Sequence, residues 1–185
     1  MPAQAALVDN GFFTTDSSAQ IDWLDLTATA GMTSSAALAA NSGWRLATNG
    51  EVEGLFATAF DGYYLNSNGG LDASTSHWQK AGPEYAGHTT DAALWQTLFG
   101  TVPSGGGNNY YSYGMYQDES GSWRMTGSQN ASGDPNNNGP WDVIFGLDWE
   151  QDLTTAATGS GDYKTGVFLV RSSVVPVPAA VWLFG

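Results

Sequence analysis

The sequence predicts a single compact α+β domain with two or three short helices and an antiparallel sheet, and three observations predict it. A length of 185 residues suits one domain and is enough to bury a core without covalent staples. Helix signals, caps followed by apolar residues at helical spacing, gather in the front of the chain. Beyond Gly107, aromatic and β-branched runs alternate with Gly, Asn and Asp clusters, the pattern of strands and turns. The 24 Gly and 7 Pro supply those turns, and eight each of Trp, Tyr and Phe supply a core.

Taken in order, Phe12 and Phe13 and then residues 21–26 are apolar segments around a polar stretch at 14–20, which predicts an N-terminal hairpin. Residues 33–40, T-S-S-A-A-L-A-A, offer hydroxyl caps and an Ala-rich body, and end before Asn41 and Gly43. They predict a short helix. Thr48 and Glu51 form a capping box, in which the hydroxyl accepts from a first-turn amide and the carboxylate reaches back to the amide of Thr48. The helix it starts carries Val52, Leu55, Phe56 and Ala59 on one face. Residues 90–99 place Leu94 and Leu98, and Trp95 and Phe99, at helical spacing and end at Gly100, a third helix. Residues 110–117, 122–126, 141–149 and 167–171 read as four strands of one antiparallel sheet. No fixed-period repeat is visible, which excludes solenoids and propellers.

Five Lys and Arg against eighteen Asp and Glu leave a net charge of −13, which excludes nucleic acid as a partner because phosphate contacts need cations. Zero Cys excludes disulfides, thiol catalysis and thiolate metal sites. The two histidines, His77 and His88, read as loop residues, with no H-E-x-x-H and no nucleophile elbow around them. Residues 159–165 end in Lys164-Thr165 but carry Tyr163 where a phosphate loop needs Gly, so no nucleotide or other organic cofactor is expected. A carboxylate pair for glycoside chemistry has its nominees in Asp148 and Glu150, a signal of low specificity. The chain is expected not to be an enzyme.

Residues 133–142, G-D-P-N-N-N-G-P-W-D, are a candidate Ca2+ site. Asp134, Asn136 and Asn138 stand at alternate positions, Gly139 permits a sharp turn, the Pro140 carbonyl takes the seventh position, and Asp142 follows. Phe145 stands where an EF-hand needs its bidentate Glu, so a complete EF-hand is excluded; Asp118 or Glu119 are further possible ligands. The same composition also suits a turn without an ion. Tyr111, Tyr113 and Trp123 are candidate carbohydrate contacts, offering flat faces and hydroxyls. On a strand, Tyr111 and Tyr113 point to one face and Tyr110 and Tyr116 to the other, and one set is expected in the core.

The run Val175-Pro176-Val177-Pro178-Ala179-Ala180-Val181-Trp182-Leu183-Phe184-Gly185 resembles the start of a PEP-CTERM sorting signal, with Pro176, Pro178, Ala179, Ala180 and Trp182 as its motif and Val177 in place of Glu. The apolar run is too short to span a bilayer by itself. In that family the segment leads into a transmembrane helix and a basic end, and a membrane exosortase processes the tail. The resemblance implies an exported protein of the cell envelope or exopolysaccharide matrix, membrane-tethered before processing, with exosortase, membrane and polysaccharide as partners. A C-terminal strand is the alternative, weakened by two prolines at alternate positions. Ala3-Gln4-Ala5 matches the small-x-small pattern cut by signal peptidases. The expected organisation is therefore a signal-peptide remnant at 1–6, one globular domain at 7–171, and a spacer with the start of the sorting signal at 172–185.

Trp44-Arg45-Leu46, with Thr48 and Glu51, is similar to a stretch of bacterial C-type-lectin-like domains related to formylglycine-generating enzymes, and residues 166–171 resemble the closing strand of such domains. The resemblance implies a C-type-lectin-like fold, with a β-sandwich carrying inserted helices as the alternative; it implies no catalytic role. Asp134-Pro135-Asn136 and Trp141-Asp142 faintly resemble lectin sugar-binding motifs, at a spacing too short for transfer. Two other functions stay open: an extracellular carbohydrate-active enzyme, and a self-associating matrix protein whose oligomeric state the sequence does not set.

Overall fold

The computed structural model describes residues 7–60, 77–81, 88–103, 110–130, 141–148 and 165–173. The chain opens with β1 (Leu7–Asp9), β2 (Phe13–Asp16) and β3 (Ile21–Leu24), a 3-10 turn at Leu26–Thr29, α1 (Ser34–Ala40), β4 (Arg45–Leu46) and α2 (Asn49–Ala59). It continues through β5 (His77–Ala81), α3 (His88–Phe99), β6 (Val102–Pro103), β7 (Tyr110–Gln117), β8 (Trp123–Asn130) and β9 (Trp141–Asp148), and closes with β10 (Gly166–Val167) and β11 (Leu169–Ser172). Among the described residues the fold is α+β, with three α-helices and two sheets.

The first sheet has the order β1-β2-β3-β11-β4, antiparallel throughout. The second has the order β10-β7-β8-β9-β5, with β6 also on β7; among the described residues only the short β10–β7 pairing is parallel. The four strands expected to form one sheet are thus divided. Residues 110–117, 123–130 and 141–148 stay together, but the closing segment splits at Phe168, β10 joining β7 and β11 inserting between β3 and β4. Phe168 makes the crossing: its N–H donates to the Met115 carbonyl in the second sheet, and its own carbonyl accepts from Ala47 N–H beside the first.

α1 and α2 form where capping predicts. Thr33 Oγ1 accepts from Ala36 N–H, and Thr48 Oγ1 accepts from Glu51 N–H while the Glu51 carboxylate accepts from Thr48 N–H. Val52, Leu55, Phe56 and Ala59 of α2 are all buried, as their spacing requires, and pack with Trp95, Leu98 and Phe99 of α3 against Trp23, Phe168 and Val170. Each large side chain so buried contributes roughly 1.5–3 kcal/mol before entropy is counted. Leu94, expected on the apolar stripe of α3, is 46 % exposed. A second cluster, Leu24, Ala37, Met115, Val167 and Leu169, lies across the first sheet from α2 and α3, and Trp44, Leu46 and Trp123 pack at its margin.

Close approach of β7 and β8 explains one glycine. Gly127 has φ +149, and a Cβ there would run into the Ser112 carbonyl. Nearby, the β8–β9 register shifts between Met125 and Gly127, a bulge that increases local twist.

Candidate functional site

Asp134, Asn136, Asn138, Pro140 and Glu150 lie outside the described residues, as do Pro176, Pro178, Ala179, Ala180 and Trp182 of the tail. Asp142 sits on β9, in register with Lys80 of β5 and Gln129 of β8. Asp148 ends the same strand opposite Arg124. The histidines are not in loops: His77 begins β5 and His88 begins α3. Among the described residues no three His, Asp or Glu side chains gather as metal ligands, and no helix is long and apolar enough to cross a membrane. Tyr111 and Tyr113 are 4 % and 3 % exposed, packed on each other at 5.6 Å between ring centroids and clustered with Met125. Their rings belong to the interior. Trp123 is half-buried at the start of β8.

Several carboxylates serve the backbone. Asp118 Oδ1 accepts from Ser120 N–H, Ser120 Oγ and Ser122 N–H, and Oδ2 accepts from Arg124 Nε at 2.8 Å. Burial pushes its carboxyl up, yet the hydrogen bonds from Ser120, Arg124 and Ser122 outweigh it and hold the value at about 2. Asp118 is therefore the internal brace of the β7–β8 hairpin. Asp16 does the same for the β2–β3 turn, accepting from Ser18 N–H, Ser18 Oγ and Ala19 N–H. Asp16 and Glu51 both line an open groove of about 440 Å³ between that turn and the start of α2, with Ile21 and Leu55 as its apolar lining and Ser18, Thr48 and Thr58 as hydroxyls. Glu51 takes a bidentate pair from Arg45, 2.8 Å from Nη1 and 2.6 Å from Nη2. That pairing lowers its carboxyl to about 2, so it is a fixed anion and unsuited to giving up a proton near neutrality.

The other face of the first sheet carries an aromatic and guanidinium cluster that the sequence did not single out. Thr15, Asp22 and Arg171 lie side by side across β2, β3 and β11. A polar rail runs through them: Asn10 Nδ2 donates to Thr15 Oγ1, Thr15 Oγ1 donates to Asp22 Oδ1 at 2.8 Å, and Arg171 Nε donates to Asp22 Oδ2 at 3.0 Å. The Arg171 guanidinium stands 4.8 Å from the Phe13 ring centroid and 4.5 Å from that of Trp44, a double cation–π contact. Phe13 in turn meets Phe12 edge to face at 4.7 Å, and Phe12 is 58 % exposed. Positions 12–13, 44 and 171 are far apart in sequence; only the long-range pairing of β11 with β3 and β4 brings them together. Phe12, Phe13, Trp44 and the strand that holds Arg171 each stand out in the sequence, but nothing local joins them.

No protein family, curated protein or solved structure matches the chain.

Proposed function

We propose that the chain is an exported protein of the cell envelope or exopolysaccharide matrix, sorted by an exosortase, that acts by binding rather than catalysis. The observation that carries this reading is the tail, where Pro176, Pro178, Ala179, Ala180 and Trp182 stand in the order of a PEP-CTERM signal. Two features agree with it. An acidic, cysteine-free chain suits an anionic matrix and needs no oxidising compartment to fold. The finer fold proposal, a C-type-lectin-like domain, draws support from residues 44–51, in which Arg45-Leu46 forms β4 beside the inserted closing strand and Thr48 with Glu51 caps α2.

Expression in cells with and without an exosortase, followed by intact mass of the extracted protein, tests the sorting proposal. Loss of the tail only when the exosortase is present is the expected result. An intact tail in both would sink it.

Calcium is the proposed ion of residues 133–142. Because an ion that binds only the native state adds RT ln(1 + [L]/Kd), a micromolar site in millimolar calcium raises stability by about 4 kcal/mol. Thermal unfolding with calcium and then chelator should show that rise, and Asp134→Ala should abolish it. Among the described residues, the groove of Asp16 and Glu51 offers the enzymatic alternative no general acid from Glu51, whose carboxyl is held low.

A further inference from the structure

The cluster around Arg171 has the composition of a binding surface rather than of a simple strut. Arg171 spends three contacts on being held still, the Asp22 ion pair and two aromatic faces, yet its side chain remains 37 % exposed. Only Nε is engaged; among the described residues neither Nη donates a hydrogen bond. Arg45, by contrast, commits both Nη atoms to Glu51. A guanidinium whose rotamer is already fixed loses little entropy when its free fork meets a ligand.

Asp22, with little exposure of its own, neutralises Arg171 locally, so the surface has no net attraction for an anion. The chain's overall charge of −13 works against polyanions as well. What the cluster does offer is an exposed ring in Phe12, the partly exposed Phe13 and Trp44, the Nη donors, and the exposed Asn10, whose Oδ1 is an acceptor. A neutral pyranose needs those features: a C–H face for the aromatic ring and hydroxyls for donors and acceptors at its edge.

We propose that Phe12, Phe13, Trp44, Arg171 and Asn10 form a binding surface for neutral polysaccharide, one sugar ring lying on the exposed aromatic and its hydroxyls taking the free Arg171 fork. The assignment deepens the matrix reading and rests on it only for the presence of polysaccharide around the protein. It places the carbohydrate contact at the exposed part of the face of the first sheet turned away from α2 and α3, apart from the interior Tyr111 and Tyr113.

Affinity electrophoresis of the whole chain tests this, in gels containing a soluble β-glucan, a galactomannan or polygalacturonate. The expected result is retardation in a neutral gel, unaffected by added salt, with none in polygalacturonate. Arg171→Lys keeps the charge and removes the fork; Phe12→Ala removes an exposed ring with little demand on the core. Each should weaken retardation about fivefold or more, with unchanged thermal midpoints showing that the fold is intact. No retardation in either neutral gel, retardation confined to polygalacturonate, or equal retardation of the variants would overturn the proposal. Since the purified chain is used, failure here leaves tail cleavage to be judged separately.

Discussion

Burial, and then the nearby charge of Asp9, pushes the Asp25 carboxyl up to about 6, and its Oδ1 is shut from solvent with no hydrogen-bond partner among the described residues. A carboxyl whose folded pKa exceeds its unfolded value favours the native state in its protonated form. Its contribution is fully present below about pH 4 and is lost as pH rises through about 6. The shift is worth at most about 3 kcal/mol, and partial exposure reduces that to about 1–2. Asp25→Asn should therefore raise stability at neutral pH by about that amount and flatten the profile between about pH 4 and 6. Urea midpoints across that window check it; an unchanged slope would refute it. Asp118 and Glu51 act below the window, because their pKa values are lowered. The donors to Asp16 are legible in its own turn, two and three residues on, whereas the burial of Asp25 follows only from packing that is set after the strands have paired.

Local chemistry made α2 the most legible element. Thr48 and Glu51 are three residues apart, their reciprocal bonds need no distant partner, and the buried face follows from spacing alone. Arg45 adds a bidentate pair that lowers Glu51 to about 2, the opposite sign to Asp25. That stabilisation is present above about pH 4.5 and is lost as pH falls through about 2. Because Arg45 is half exposed, Glu51→Gln should cost only about 1 kcal/mol at pH 7, and nothing once Glu51 is protonated. Equal losses at both pH values would mean that the cap alone, without charge, carries the effect. The strands were less legible. The extent of β7 followed from its composition, but β5 and the placing of β11 did not, because strand partners are set by contacts between distant segments. The Arg171 cluster was hidden for the same reason: Phe13, Trp44 and Arg171 meet only after β11 has inserted.

At the scale of the whole molecule, the two sheets meet around Phe168. Its N–H donates to Met115 in the second sheet, its carbonyl accepts from Ala47 N–H beside the first, and its ring lies 5.9 Å from Trp23 of the first sheet, 6.1 Å from Trp95 of α3 and 6.3 Å from Tyr116 of the second. Room for that ring is left at Gly114, where a Cβ would overlap both Phe168 and Leu26. Beside it, Thr29 Oγ1 accepts from Val167 N–H at 2.7 Å, tying the 3-10 turn to β10 across the length of the chain. Phe168→Ala keeps the backbone bonds and opens a cavity between the sheets, at a cost of about 3–5 kcal/mol. Against a typical total of about 5–15 kcal/mol, that is a large share. If the sheets form one cooperative unit through this residue, amide exchange at Asp22 in β3 and at Ser112 in β7 should accelerate by the same factor. Acceleration at Ser112 with Asp22 unchanged would show instead that the sheets unfold separately, and that the insertion of β11 joins them in topology but not in stability.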